Sequence, residues 1–119
     1  MANNQATGLA GERGAEAFLQ KKGYKILSRN YRKKTGEIDL VAKDGEYIVF
    51  IEVKARKGLE YGYPREAVGY MKQKRIINTA LQYIAQYKLT DVGIRFDVIE
   101  VLINNGEIYI SHVENAFTA

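Results

Sequence analysis

The order of hydropathy patterns predicts an α/β fold, one mixed sheet flanked by helices, with elements in the order α-β-β-β-α-β-β. Two stretches carry apolar residues at helical spacing and five read as strands. Two turn signals, Asp44-Gly45 and Asn104-Asn105-Gly106, join neighbouring strands into hairpins.

The polar segment from Met1 to about Thr7 reads as a loose leader, and residues 8–119 as one domain without repeats or linkers. From about Gly8 to Lys22, Gly8, Gly11, Ala15, Phe18 and Leu19 share one helical arc, and Gly23 closes the helix. Strands follow at Tyr24 to about Tyr31, Glu37 to Lys43 and Tyr47 to Arg56. After a loop with Gly58, Gly62 and Pro64, a second helix starts at about Arg65 or Gly69 and ends at Tyr87. Its apolar face is expected to be Ile77, Ala80, Leu81 and Ile84, with Lys72, Arg75, Asn78, Thr79 and Gln82 opposite. Strands Ile94 to Ile103 and Glu107 to Val113 complete the pattern.

Composition narrows the chemistry. The 119 residues hold 18 Lys+Arg, 14 Asp+Glu, one His and no Cys, for a net charge of +4. Without cysteine there is no disulfide, thiolate metal site or cysteine nucleophile, and one histidine excludes a two-His zinc site within the chain. Carboxylates and lysines are what remains for catalysis. The absence of cysteine and of a long apolar run fits a reducing cytoplasm and no membrane span. The positive balance permits a nucleic-acid or other anionic partner.

Chemistry is expected where an apolar strand turns charged. In Tyr47 to Arg56, Glu52, Lys54 and Arg56 share one face; in the preceding strand Glu37 and Asp39 do the same. A two-residue loop at Asp44-Gly45 sets Asp39 opposite Phe50 and Glu37 opposite Glu52, so Glu37, Asp39, Glu52 and Lys54 all point the same way. Like charges on one sheet face repel, and a bound divalent cation would offset that repulsion. Oxygen-only ligands suit Mg²⁺ or Mn²⁺, held by Asp39 and Glu52 with the Val53 carbonyl as a further donor. Lys54 is then placed to hold an attacking water and neutralise charge on a phosphoryl transition state. The plain alternative is a partly solvated Glu-Lys salt bridge.

The stretch Gly36-Glu37-Ile38-Asp39-Leu40-Val41, followed after twelve residues beyond Asp39 by Glu52-Val53-Lys54, resembles the core of the PD-(D/E)XK nuclease superfamily. More narrowly, residues 8 to about 101 resemble the YraN-like family of small bacterial proteins, relatives of Holliday-junction resolvases. The matching stretches include Gly8-x-x-Gly11-Glu12-x-x-Ala15-x-x-Phe18-Leu19, Val49 through Arg56, Gly62-x-Pro64-x-Glu66-Ala67-Val68 with Lys72, and Arg95-Phe96-Asp97-Val98. Ile38 replaces the proline of the superfamily motif, which weakens transfer of substrate preference.

The resemblance implies a restriction-endonuclease-like αβββαβ core and catalytic positions at Asp39, Glu52 and Lys54. It also points to Glu12 on the first helix as a further acidic residue of the metal site. Glu16 lies close to it on the helical projection, and Glu37 is a third candidate, so the choice among the three stays open. Arg32, Lys33, Lys34, Arg56, Lys72 and Arg75 are the expected nucleic-acid contacts, most simply with DNA, although a basic run is usually a solvated face. Tyr31, Tyr61, Tyr63 and Tyr70 are candidates for stacking on bases or for core-edge packing. His112 has no partner in sequence and is expected to be structural. The resulting expectation is an Mg²⁺- or Mn²⁺-dependent endonuclease, with a homodimer required for junction cutting. The alternatives are a non-catalytic nucleic-acid-binding partner that kept the site, or a purely structural domain.

Overall fold

In a computed structural model of the chain, residues 4–58 and 68–119 are described, the side chains of 4–7 aside. The order is α1 (Asn4–Lys21), β1 (Lys25–Lys33), β2 (Gly36–Asp44), β3 (Tyr47–Lys57), α2 (Tyr70–Gln86), β4 (Gly93–Asn104) and β5 (Glu107–Phe117). The first helix thus begins four residues ahead of Gly8. Residues 1–3 and the loop positions Tyr61, Gly62, Tyr63, Pro64, Arg65 and Glu66 lie outside the described residues.

The five strands pair in sequence order, β1-β2-β3-β4-β5. The β3–β4 pair is parallel, since α2 carries the chain back across the sheet; the other pairs are antiparallel. This mixed sheet with two helices is consistent with a restriction-endonuclease-like αβββαβ core. No helix among the described residues is long and apolar enough to cross a membrane.

Each face of the sheet has its own apolar layer. Towards α1 lie Ala15, Leu19, Leu40, Val49, Ile51, Ile99 and Val101; towards α2 lie Val41, Phe50, Ile76, Ala80, Tyr83, Phe96 and Val98. β3 is the central strand, with Ile48 through Glu52 all buried. Helix α1 approaches it closely at Gly11, where an added Cβ would sit 2.5 Å from the Ala55 Cβ. Gly11→Ala is therefore expected to lower stability: overpacking costs about 1–3 kcal/mol, more than the roughly 1 kcal/mol alanine returns through helix propensity. Thermal denaturation followed by circular dichroism reads this directly.

Three expectations need correction. The fully buried stripe of α2 is Ile76, Thr79, Ala80 and Tyr83; of the expected face, Ala80 is buried, Ile77 and Ile84 pack partly buried against the same cluster, and Leu81 is 54% exposed. Thr79 is buried because its hydroxyl is satisfied, donating to the Arg75 carbonyl (2.8 Å) and bonding to Thr35 Oγ1 (2.8 Å). Tyr83 packs its ring on Phe50 and reaches Ser28 Oγ with its hydroxyl (3.2 Å).

The hairpin register also differs. Asp44 pairs with Tyr47, so the loop residues are Gly45 and Glu46, and Val41 rather than Asp39 lies opposite Phe50. Gly45 has φ +59 and Glu46 has no positive φ, the pattern of a type II′ turn with glycine in the first central position. The shift is by two residues, so the faces of β3 relative to Val41 are preserved.

The third correction concerns Glu37. Arg29 pairs with Leu40 on the α1 side, yet the next pair, Tyr31 and Ile38, joins the α2-side cluster. Both strands therefore change face at the Asn30 and Asp39 step, where Asn30 has φ +50. Glu37 therefore does not continue the row of Asp39, Glu52 and Lys54 along the sheet; it lies beside Glu12 of α1 through Asn30 while still lining one cleft with Asp39 and Glu52.

Candidate metal and nucleic-acid site

The β2–β3 ladder ends at Leu40 and Ile51. One residue further, the Asp39 carboxylate takes over: its Oδ2 accepts from the Val53 N–H at 2.8 Å. A side chain thus replaces a strand-to-strand bond, and the strands part around it. Asp39, Glu52 and Glu37 line the resulting open cleft, about 350 Å³ in volume, with Lys72, Arg75 and Ile76 of α2 as its other wall.

The electrostatics are costly. Burial, followed by the neighbouring charge of Glu52, pushes the Asp39 carboxyl up to about 7, although the Val53 N–H favours its ionised form. Glu12 and Glu37 add to the same repulsion. Burial and then Glu37 also raise Glu12. The Asn30 carboxamide, with its nitrogen turned to these carboxylates, donates to Glu12 Oε1 at 3.1 Å and Glu37 Oε1 at 3.2 Å. Arg32 pairs with Glu37 at 3.1 Å. Glu52, 9% exposed, is paired with Lys72 Nζ at 2.8 Å. That ion pair holds the Lys72 ammonium above the ordinary lysine value although burial works against it.

The expected site residues separate into groups. Asp39, Glu52 and Glu37 meet in the cleft, and Glu12 reaches it electrostatically; Glu16 is drawn away into an ion pair with Arg29. Lys54 lies two residues past Glu52 on the same strand, in register with Glu100 of β4, and does not line the cleft. Of the basic candidates, Lys72 and Arg75 line the cleft and Arg32 touches it through Glu37, whereas Lys33, Lys34 and Arg56 do not. Tyr31 packs edge-on against Tyr83, and Tyr70 is 68% exposed.

Two features escaped the sequence reading. Glu100 is a buried carboxylate beside Lys54, signalled only by its interruption of the apolar run Val98-Ile99-Glu100-Val101-Leu102. A second ionic network lies apart from the cleft residues. Fully buried Asp97 accepts from Arg95, from the Asn115 N–H at 2.9 Å and from His112 Nε2 at 2.7 Å. His112 and Asp97 are thus partners, which one sequence position apiece does not reveal.

Among the described residues no three carboxylate or imidazole groups stand ready-made around a metal position. The donor chemistry nevertheless fits a hard divalent cation, because Mg²⁺ usually takes one or two protein carboxylates and completes its shell with water and phosphate oxygens. Asp39 and Glu52 supply that number, and the repulsion raising Asp39 is what a cation would relieve.

Comparison with known proteins covers the same elements. The sequence model of the Uncharacterised protein family UPF0102 matches residues 11–101. The UPF0102 protein of Clostridium acetobutylicum is 47% identical over 116 residues, 96% of this chain and 95% of the relative. That of Clostridioides difficile is 48% identical over 115 residues, 97% and 99% of the two chains. That of Rhodococcus opacus is 42% identical over 118 residues, 98% and 100%. The matched span holds Glu12, Asp39, Glu52, Lys54, Lys72 and Asp97, whereas His112 lies beyond it.

Proposed function

We propose, for a chain that belongs to the UPF0102 family, metal-dependent hydrolysis of phosphodiester bonds in nucleic acid, DNA foremost, at the cleft of Asp39 and Glu52. The observation that carries this reading is a carboxylate cluster kept at an electrostatic cost where β2 leaves β3, faced by the cations Lys72 and Arg75. The resemblance of the Asp39 and Glu52-Val53-Lys54 spacing to the PD-(D/E)XK nucleases supports it.

Asp39 and Glu52 would hold Mg²⁺ or Mn²⁺, with Glu12 and Glu37 behind them. The bound ion supplies Lewis-acid polarisation of a phosphate oxygen and an activated water. Around it, the Val53 N–H fixes the Asp39 carboxylate in one orientation. Lys54 lies outside the cleft lining but on the strand face of Glu52, and its long side chain would reach back along β3 to orient the attacking water and offset the charge that develops on the phosphoryl oxygens. Lys72 and Arg75 take the nucleic-acid backbone on the opposite wall of the cleft. The expected setting is the bacterial cytoplasm, and symmetric cutting of a branched junction requires two such sites in a dimer.

The test is nicking of supercoiled plasmid and of a four-way DNA junction with Mg²⁺ or Mn²⁺. The parent protein is expected to cut, and Asp39→Ala and Lys54→Ala each to lose about a hundredfold or more in rate. Salt-dependent DNA binding by the parent without any cutting would replace this reading with that of a non-catalytic nucleic-acid-binding partner.

A further inference from the structure

Lys72 occupies an unusual place. Its ammonium sits on Glu52 at 2.8 Å and within the field of Asp39 and Glu37, in the middle of the carboxylates assigned above to the metal. It stands in the first turn of α2, the positive end of a helix dipole, where a cation is disfavoured. Glu52, not the helix, therefore sets its position.

The two partners differ sharply in how tightly they are bound to the arrangement. Glu52 is 9% exposed and needs a cation beside it; the Lys72 side chain is 55% exposed on a flexible stem and loses little by swinging out. Exchanging one cation for another at Glu52 costs far less than removing one. The first turn of α2 contains no acidic residue, and Arg75 lies on the same cleft wall one turn on. An ammonium released from Glu52 thus finds a basic surface, suited to a phosphate.

Resting on the metal-dependent reading above, we infer that Lys72 is an internal counter-ion that competes with the divalent cation for Glu52 and passes to a backbone phosphate of the nucleic acid when metal enters. Metal loading and nucleic-acid binding then favour each other, because each removes Lys72 from the other's way.

The test is Mn²⁺ binding to the metal-free protein without nucleic acid, by isothermal titration and by electron paramagnetic resonance of free Mn²⁺. Lys72→Met is expected to bind Mn²⁺ about tenfold more tightly than the parent, Lys72→Arg about as the parent does, and Lys74→Met within about twofold of it. In Ca²⁺, Lys72→Met is expected to bind a DNA duplex more weakly, with a log-log salt slope smaller by about one. Equal or weaker Mn²⁺ binding by Lys72→Met overturns the competition, and unchanged DNA affinity overturns the transfer to phosphate. If neither the parent nor Lys72→Met binds Mn²⁺, the metal-dependent reading itself falls, and this inference with it.

Discussion

Asp97→Ala is expected to lower the free energy of unfolding by about 3–5 kcal/mol, the range seen when one member of a buried charge network is removed. Asp97 is fully buried and satisfied from three directions: the Arg95 guanidinium, His112 Nε2 and the Asn115 N–H. Without it, Arg95 keeps Asp44, Glu114 and the Tyr24 hydroxyl among the described residues, and Asp44 and Glu114 are the more exposed carboxylates of the network. The loss also loosens β5, because Asp97 sits at the register shift in the β4–β5 ladder and its bonds to His112 and Asn115 hold that strand. Burial opposes ionisation of Asp97, but the bonds from His112 and Arg95 outweigh it and hold its carboxyl below the usual aspartate value. This contribution is therefore present above the unfolded-state value near 3.9 and fades only as pH falls through the lower native value. Urea denaturation of the parent and Asp97→Ala at pH 7 measures the difference; a loss under about 1 kcal/mol would mean the network is a bystander.

The opposite sign is expected at Asp39. Burial and the charge of Glu52 push its native carboxyl up to about 7, far above an unfolded aspartate at about 3.9, so only well below that lower value are both states protonated and the residue neutral to stability. As pH rises through the unfolded value towards 7, the unfolded chain ionises first, and the native state is penalised progressively. Above pH 7 the full penalty is reached, of order 2–4 kcal/mol. Asp39→Asn, which keeps an oxygen for the Val53 N–H, is expected to melt several degrees higher than the parent at pH 8, with the gap closing as pH falls below about 3. A buried carboxylate retained at such a cost belongs to function rather than folding. Equal melting at pH 8 would show that the cluster is already neutralised by its lysines.

The elements were legible in the sequence because hairpin glycines and apolar alternation are local signals. Asn105 and Gly106 both take positive φ, as the second turn requires. What was not legible depends on tertiary satisfaction of polar groups. Thr79 reads as part of the polar face until Thr35 is seen to meet its hydroxyl, and the centre of the buried face of α2 accordingly lies one position from the expected one. Asp39 and Glu52 stand out in the sequence because charges interrupt central strands, and they line one cleft despite a register difference of two, which leaves the parity of faces unchanged. The route by which Glu37 comes to Asp39 and Glu52 was not legible, because nothing in the sequence marks the simultaneous turn of β1 and β2 at Asn30 and Asp39. The Lys72–Glu52 pair joins residues on different elements, and no spacing rule connects them.

The central claim is that Asp39 and Glu52 form a divalent-cation site. Calorimetric titration of the metal-free parent with Mn²⁺ at pH 8, beside Asp39→Asn, tests it without reference to any substrate. The account predicts saturable binding to the parent that Asp39→Asn abolishes, with Mn²⁺ raising the melting temperature of the parent alone. No saturable heat and no thermal shift in the parent at millimolar Mn²⁺, or equal binding by Asp39→Asn, would contradict it.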